Sequence, residues 1–121
     1  MTDAAKIADC YIALWNEADK LIRMEMLKEN WSEDATYVDP LMAGAGHAQI
    51  SELVGGVQQR FPDFRFSLLG EPNGYDGHVR FSWSLGPAGA DAPIKGSDVV
   101  TLERGRLKAV IGFLDQVPAA A

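Results

Sequence analysis

The chain has 121 residues, enough for one domain with a single hydrophobic core. Its 11 basic and 17 acidic residues give a net charge of −6. This acidity argues against nucleic acid or an anionic membrane as a partner, because both attract basic patches. No stretch approaches the ~18 apolar residues of a membrane span, and the charged first ten residues do not resemble a signal peptide. We expect a cytoplasmic protein forming a single domain over residues 1–121, with Pro118–Ala121 as a frayed tail.

The side chains that commonly hold metals or cofactors are few. A lone cysteine, Cys10, excludes a disulfide within the chain and a thiolate metal cluster. His47 and His78 are far apart and form no HExxH motif, and Gly44–Gly46 is too short for a phosphate-binding loop. We therefore expect neither a metal nor a cofactor.

Two helical patterns open the chain. Residues 3–17 carry apolar side chains at helical spacing, with Thr2 as the predicted N-cap. Tyr11 lies in the middle of this apolar stripe, so its hydroxyl requires a partner inside the protein. Asp19 is predicted to cap a second helix that continues to about Trp31 and ends in an acidic turn, Ser32–Asp34.

A short strand and a third helix follow. Alternation over Ala35–Asp39 places Tyr37 and Asp39 on one face of the strand, and Pro40 limits its hydrogen bonding. Residues 42–46 are predicted to form a loop, after which apolar residues at helical spacing continue to Phe61. The pair Gly55–Gly56 inside this helix indicates either the close approach of another backbone or a weak helix.

From residue 64 the apolar period changes to two, which predicts four antiparallel strands. The first hairpin turn is marked by Asn73-Gly74 with Asp76-Gly77, and the last by Arg104-Gly105. The predicted fold class is α+β in the order α-α-β-α-β-β-β-β. Three helices would cover one face of a strongly curved, mostly antiparallel sheet.

One charged residue interrupts the apolar face of the strand over residues 94–103. Asp98 alternates with Gly96 and Val100, so its carboxyl group is expected to face the interior. A buried carboxyl group normally becomes protonated or finds a partner, and a protonated one is a hydrogen-bond donor. Asp98 is therefore a candidate acid or donor in a cavity. Alternatively, local twist turns it outward or it pairs with a neighbouring arginine.

Asp39 and Tyr11 each have two interpretations as well. Asp39, at a strand end, is either a carboxylate that accepts a proton from a substrate or part of the turn chemistry that Asp-Pro commonly supports. Tyr11 is either an ordinary core tyrosine or a hydrogen-bond donor to a ligand. None of these residues indicates a function alone.

The order of elements over about residues 5–116 resembles the nuclear transport factor 2-like superfamily, whose fold is a cone of curved sheet around a cavity. Within it the chain resembles the SnoaL-like group and the ketosteroid isomerases. The segment Trp31–Pro40, WSEDATYVDP, is similar to the acidic turn, strand and Asp-Pro of those isomerases.

The resemblance implies a role for each candidate residue. It makes Asp39 the base that moves a proton between carbons. Tyr11 and a protonated Asp98 would form the oxyanion hole, since ketosteroid isomerases keep such a carboxylic acid neutral in an apolar site. One base and two donors suit proton abstraction next to a carbonyl group with stabilisation of the enolate.

The sequence also departs from these relatives. Val54 stands where the isomerases have a supporting tyrosine on the third helix, although Tyr37 offers a hydroxyl from another element. Gly96, two residues before Asp98, argues against the aspartate–arginine site of the superfamily's epoxide hydrolases. Arg80 alternates with apolar neighbours and is expected to point outward.

We expect a SnoaL-like enzyme, of isomerase or cyclase type, acting on a compact apolar carbonyl compound. The alternative is a non-catalytic protein of the same fold that binds an apolar ligand or acts as a dimeric assembly module. A homodimer formed through the sheet is expected from the apolar residues of the last strands, such as Val110 and Leu114.

Overall fold

Helices and strands follow the predicted order, with one additional short strand. The computed structural model describes residues 3–118, so Thr2, predicted to cap the first helix, and Ala119–Ala121 of the predicted tail lie outside the described range. The elements are α1 (Ala4–Asn16), α2 (Lys20–Asn30), β1 (Trp31–Val38), β2 (Ala43–Ala45), α3 (Gly46–Arg60), β3 (Phe64–Tyr75), β4 (His78–Pro87), β5 (Ile94–Glu103) and β6 (Arg106–Gln116). Within residues 3–118, no helix has the length and apolarity to cross a membrane.

Aspartates cap the first two helices. The Asp3 side chain accepts a hydrogen bond from the Lys6 amide at 3.1 Å, at the start of α1. Asp19 caps α2 as predicted, since its carboxylate accepts from the amides of Leu21 and Ile22 at 2.8 and 3.2 Å. These bonds satisfy amide groups that have no partner within the helix.

The boundary between α2 and β1 differs from the prediction. The acidic turn expected at Ser32–Asp34 is wrong, because Trp31 already has an extended backbone (φ −116°, ψ 145°) and begins β1. Burial of the Trp31 side chain, 1% exposed, favours this early start. The pairing of β1 with β6 changes register between Trp31 and Thr36, so the acidic segment lies within the strand.

The six strands form one sheet in the order β2-β1-β6-β5-β4-β3. Neighbouring strands are antiparallel except β1 and β6, which are parallel. The loop predicted over residues 42–46 is wrong in part, because Ala43–Ala45 pairs with β1 as β2. Three small residues carry no apolar alternation, which explains why β2 could not be recognised from the pattern.

Two tight turns connect the last strands. Asp76-Gly77 joins β3 to β4 and Arg104-Gly105 joins β5 to β6, and all four residues have positive φ angles between 49° and 78°. Such a pair of left-handed residues forms the type I′ turn that suits the twist of a hairpin. Asn73-Gly74, also predicted to mark the first turn, lies inside β3.

The helices cover one face of the sheet, and the core lies between them. On the open face, Val38, Ile111 and Phe113 are 45–54% exposed. Val110 and Leu114, predicted to lie on this face, do not: Val110 is 1% exposed and Leu114 packs against the core. The register of β6 against β5 shifts between Thr101 and Leu102, and this shift determines which β6 side chains face the helices.

The close approach of another backbone, one of the two interpretations of the glycine pair in α3, is wrong. A Cβ atom on Gly55 would lie 3.1 Å from Nη2 of Arg23, whereas Gly56 faces open space. The buried Arg23 guanidinium donates to the carbonyl oxygens of Glu17 and Ala18, at 2.9 and 3.2 Å. Gly55 therefore admits a side chain that binds the end of α1, not another backbone.

Candidate active site

Asp98 lies in the interior of β5, on the face that the helices cover. It is 1% exposed, and Gly96 and Val100 are buried on the same face, as the alternation predicted. The alternative that local twist turns Asp98 outward is therefore wrong. Its hydrogen-bond partners are not arginines but two aromatic side chains.

Both carboxyl oxygens of Asp98 accept a hydrogen bond. The Tyr11 hydroxyl, from α1, donates to Oδ2, and the Trp83 indole Nε1, from β4, donates to Oδ1 at 3.1 Å. These donors offset part of the cost of burying a carboxyl group. The Tyr11 hydroxyl thus finds the interior partner that its place in the apolar stripe required.

Trp83 was not predicted as a site residue. It pairs directly with Gly96 across the β4–β5 register, and a Cβ atom on Gly96 would lie only 2.3 Å from the Trp83 ring. The missing side chain at position 96 therefore makes room for the indole beside Asp98. The signal in the sequence was the combination of Trp83 on the inward face of one strand with Gly96 and Asp98 on the next strand.

Asp39 lies just after β1 and takes part in local turn chemistry. Its Oδ1 accepts hydrogen bonds from the amides of Leu41 and Met42, at 2.8 and 3.0 Å. Its Oδ2 accepts a hydrogen bond from the Tyr37 hydroxyl at 2.7 Å. The turn interpretation of Asp39 is therefore correct, and Tyr37 adds a link to the interior.

Gly112 of β6 brings the two carboxyl groups together. A Cβ atom at this position would lie 3.0 Å from Asp98 Oδ1, 3.2 Å from Asp39 Cβ and 3.4 Å from the Tyr37 hydroxyl oxygen. The side chains of Asp98, Asp39 and Tyr37 therefore come together next to Gly112, where a larger residue would leave them no room. We call Tyr11, Tyr37, Asp39, Trp83 and Asp98 the acid–tyrosine cluster.

Burial dominates the electrostatics of this cluster. It raises the pKa of Asp98 to about 6, against the opposing hydrogen bonds from Tyr11 and Trp83 and with a smaller contribution from the negative charge of Asp39. Burial, together with the Asp98 charge, also raises the pKa of Tyr11 and of Tyr37 well above the ordinary tyrosine value. Both tyrosines therefore remain hydroxyl donors, while Asp98 changes charge near neutral pH.

Val54 stands on α3 in place of the supporting tyrosine that the resemblance would imply, and Tyr37 supplies a hydroxyl from β1. Val54 is fully buried in the core. The hydroxyl beside Tyr11 comes from Tyr37, whose proximity makes a small contribution to the elevated pKa of Tyr11. Arg80, expected to point outward, is exposed.

A cavity of about 250 Å³ lies between α1, α3 and β3. Its walls include Trp15 and Phe66, whose rings in turn contact Tyr37 and Trp83 at centroid distances of 5.4 and 5.2 Å. One aromatic layer thus separates the cavity from the acid–tyrosine cluster. Tyr11, Asp39 and Asp98 line neither this cavity nor a second, open crevice of about 640 Å³ beside the start of α1.

The two histidines contact backbone carbonyl groups or an aromatic ring. His47 Nε2 lies 3.2 and 3.0 Å from the carbonyl oxygens of Trp31 and Ser32, and His78 is exposed beside the ring of Tyr75. Across residues 3–118, no three histidine, cysteine, aspartate or glutamate side chains are grouped as metal ligands.

Comparison with known proteins assigns the chain to a family. The SnoaL-like domain model matches residues 8–110. The chain belongs to the SnoaL-like family. A candidate isomerase of this family from Agrobacterium tumefaciens has 42% sequence identity and a TM-score of 0.90, over 95% of this chain and 99% of that chain. Among curated proteins, none matches this chain.

More distant structures support the fold alone. A candidate ketosteroid isomerase from Kribbella flavida has 16% identity and a TM-score of 0.69, over 96% of this chain and 80% of that chain. A candidate polyketide cyclase from Sinorhizobium meliloti has 14% identity and a TM-score of 0.69, over 88% and 93%. The SnoaL-like protein thus has the predicted α+β, nuclear transport factor 2-like cone.

Proposed function

We propose that this SnoaL-like protein binds a compact apolar carbonyl compound and moves a proton at the carbon next to the carbonyl group, as isomerases and cyclases of this kind do. The observation that carries the proposal is Asp98, a buried carboxyl group in a strand interior with a pKa of about 6. A proton carrier works best when its pKa lies near the working pH. The 42% identical relative is itself a candidate isomerase.

The geometry favours Asp98 over Asp39 as the proton-carrying group. Oδ1 of Asp39 accepts the two amide hydrogen bonds that hold the turn after β1, and its Oδ2 accepts from the Tyr37 hydroxyl. The Asp98 carboxyl group accepts its hydrogen bonds from the side chains of Tyr11 and Trp83, and these bonds do not hold a turn. In this proposal Asp98 takes the proton from carbon, and Asp39 positions Tyr37.

Tyr11 is the proposed donor to the developing oxyanion. Its raised pKa keeps the hydroxyl protonated, and a donor aimed at the oxygen where charge develops lowers the barrier to enolate formation. Because Tyr11 donates to Asp98, a substrate oxygen must replace Asp98 as the acceptor of that hydrogen bond. Protonation of Asp98 during the reaction weakens the bond and favours this exchange.

The test is hydrogen–deuterium exchange next to the carbonyl group of small cyclic ketones, such as 1-indanone, followed by NMR in D2O. We expect the protein to accelerate exchange and Asp98→Asn to reduce the acceleration by about 100-fold or more, the usual size of a general acid–base contribution. Asp91→Asn, the same change in an exposed loop, should leave it unchanged. An Asp98→Asn variant as active as the wild type would refute the proposal.

A non-catalytic binding protein is the second candidate. The observation that favours it is the cavity of about 250 Å³, which none of Tyr11, Asp39 and Asp98 lines. In that case the wild type and Asp98→Asn would bind the ketones equally, and neither would exchange hydrogen faster than buffer. The same samples therefore discriminate between the two functions.

We also propose a homodimer formed through the open face of the sheet. Val38 of β1 and Ile111 of β6 are direct neighbours in the parallel register, and Phe113 follows on the same face, all of them about half exposed. A contiguous apolar patch of this kind favours association. Sedimentation should give a dimer for the wild type and a monomer for Ile111→Lys, and a monomeric wild type at micromolar concentration would exclude the interface.

A further inference from the structure

Tyr11 and Asp98 are closed off from solvent. They are 2% and 1% exposed, and they line neither the cavity between α1, α3 and β3 nor the crevice beside the start of α1. A ligand oxygen that accepts from the Tyr11 hydroxyl therefore requires a surrounding side chain to move first. The rings packed around Tyr11 indicate which side chain that is.

Trp15 lies between Tyr11 and the cavity. Its ring centroid is 6.0 Å from that of Tyr11 and 5.4 Å from that of Tyr37, and the residue is also part of the cavity wall. Trp31 and Phe81 contact the Tyr11 ring as well, at 6.1 and 4.9 Å, but they line neither the cavity nor the crevice. Movement of Trp15 would thus join the cavity to Tyr11, whereas movement of Trp31 or Phe81 would not.

Phe66 shares the aromatic layer with Trp15 but faces another part of the acid–tyrosine cluster. Its ring contacts Trp83 at a centroid distance of 5.2 Å. Its backbone amide and carbonyl groups are both held by the Asn16 side chain, at 2.8 and 2.9 Å. Trp15 is therefore the part of the layer that covers Tyr11.

The Trp15 indole has no polar anchor. Among residues 3–118, its Nε1 is the buried side-chain nitrogen or oxygen atom that makes no hydrogen bond. A buried tryptophan usually bonds through this group, and an unpaired donor makes the buried position less favourable. Rotation of the indole toward solvent breaks no hydrogen bond and allows Nε1 to bond to water. The backbone carbonyl of Trp15 accepts from Gln58 Nε2 at 3.0 Å, so the end of α1 can stay in place while the side chain rotates.

We infer that the Trp15 side chain is a gate, which rotates away from Tyr11 and makes the cavity continuous with the acid–tyrosine cluster. The inference rests on the proposed function for the class of ligand and for Tyr11 as the donor to its oxygen, and it adds the residue that controls access. The cavity volume of about 250 Å³ lies just below the range of about 300–1,000 Å³ for pockets that hold drug-sized ligands. The gate therefore also favours compact ketones over larger ones.

Hydrogen exchange of the indole N–H groups tests the gate in the wild type. NMR in D2O follows the signals of Trp15 and Trp83 separately. Local rotation exposes the Trp15 N–H without unfolding, so it should exchange at least about tenfold faster than the Trp83 N–H and at a rate that low concentrations of urea do not change. The Trp83 N–H is bonded to Asp98 and should exchange faster as urea is added, because its exchange requires a larger opening. Equal rates with equal urea dependence for the two groups would overturn the inference.

The size of the accepted ketone gives a second test. The deuterium-exchange assay compares 1-indanone with a tricyclic ketone of the dihydrophenanthrenone type. We expect Trp15→Ala, which removes the gate, to raise kcat/KM for the tricyclic ketone relative to 1-indanone by about tenfold or more. Trp15→Phe keeps a smaller ring and leaves less empty volume in the core, and it should act in the same direction by a smaller factor.

Trp31→Phe is the matched control for Trp15→Phe. It removes the same atoms beside the Tyr11 ring, but position 31 does not line the cavity, so the size preference should stay as in the wild type. A size preference that is the same in the wild type and in both Trp15 variants would refute the gate.

The outcomes separate this inference from the proposed function. If the Trp15 N–H exchanges through local opening while no ketone exchanges hydrogen, the gate stands and the proton transfer fails. If ketone exchange depends on Asp98 while the N–H groups of Trp15 and Trp83 exchange alike, the proton transfer stands and the gate fails.

Discussion

Asp98 and Asp39 both lie next to Gly112, yet their surroundings differ. Asp98 is in the middle of β5 and bonds Tyr11, which is 87 residues away in the sequence. Asp39 follows the end of β1 and bonds groups two or three residues away. A carboxyl group in a strand interior must obtain its donors from other elements, because its own backbone amides are used in the sheet. One at a strand end can use free local amides.

This difference has a functional consequence. Local hydrogen bonds give Asp39 a role in the turn, whereas Asp98 depends on the packing of α1 and β4 for both of its partners. A change of packing near Asp98 should therefore affect stability and site chemistry together. The same kind of change near Asp39 should affect mainly the local turn.

Gly96→Ala should have the largest effect, because it disturbs the packing around Asp98. The new Cβ atom would lie 2.3 Å from the Trp83 ring and 2.6 Å from the Phe113 carbonyl oxygen, so the indole or the backbone must move. We expect a loss of at least about 3 kcal/mol, at the upper end for overpacking, together with loss of the Trp83–Asp98 hydrogen bond. Urea denaturation and the NMR signal of the Trp83 indole N–H measure these two effects.

Gly56→Ala is the matched control for this substitution. Nothing lies within 4 Å of a Cβ atom at position 56, and alanine is the better helix former by about 1 kcal/mol. The control should be slightly stabilised. If Gly96→Ala were as stable as this control, the idea that position 96 is reserved for the Trp83 ring would be wrong.

Asp98→Asn should give the next largest effect, seen in the pH dependence of stability. The pKa of Asp98, about 6 in the folded protein, exceeds the value of about 3.9 for an unfolded aspartate. Its stabilising contribution is therefore complete below about pH 4 and is lost as the pH rises to about 6. This difference corresponds to roughly 2–3 kcal/mol.

The asparagine variant lacks this titration. Urea denaturation from pH 4 to pH 7.5 should show the wild type gaining about 2–3 kcal/mol relative to Asp98→Asn as the pH falls from 6.5 to 4. Using the difference between the two proteins cancels the titration of the other carboxyl groups. Parallel stability curves would contradict a raised pKa for Asp98.

The contrast between long-range and local contacts also explains how much of the candidate site could be predicted from the sequence. Alternation along β5 was enough to predict that Asp98 faces the interior, because a strand has a fixed period of two. It could not identify Trp83 as a partner, since that contact depends on the register between β4 and β5 and on the space at Gly96. Contacts over long sequence separations are set by packing, which one sequence does not reveal.

Errors in the fold have a similar origin. The predicted turn at Ser32–Asp34 followed from acidic residues after a helix, but burial of Trp31 favours an extended chain there. Val110 and Leu114 do not take the outward position predicted for them, and β6 shifts against β5 between Thr101 and Leu102. A one-residue shift exchanges the two faces of a strand. The three helices and the last four strands were predictable because their apolar periods extend over many residues.

Asp39→Asn should have the smallest effect and tests whether the two carboxyl groups interact. The negative charge of Asp39 contributes to the raised pKa of Asp98, so its removal should lower that pKa. The carbonyl oxygen of asparagine can still accept from the Leu41 and Met42 amides, so the loss of stability should stay below about 1 kcal/mol. Carbon-13 NMR of labelled aspartate carboxyl groups, with the Asp98 signal assigned by Asp98→Asn, measures the shift, and Asp91→Asn provides the control for a distant charge. An unchanged Asp98 titration in Asp39→Asn would mean that the two groups act independently, and Asp39 would then have only its role in the turn.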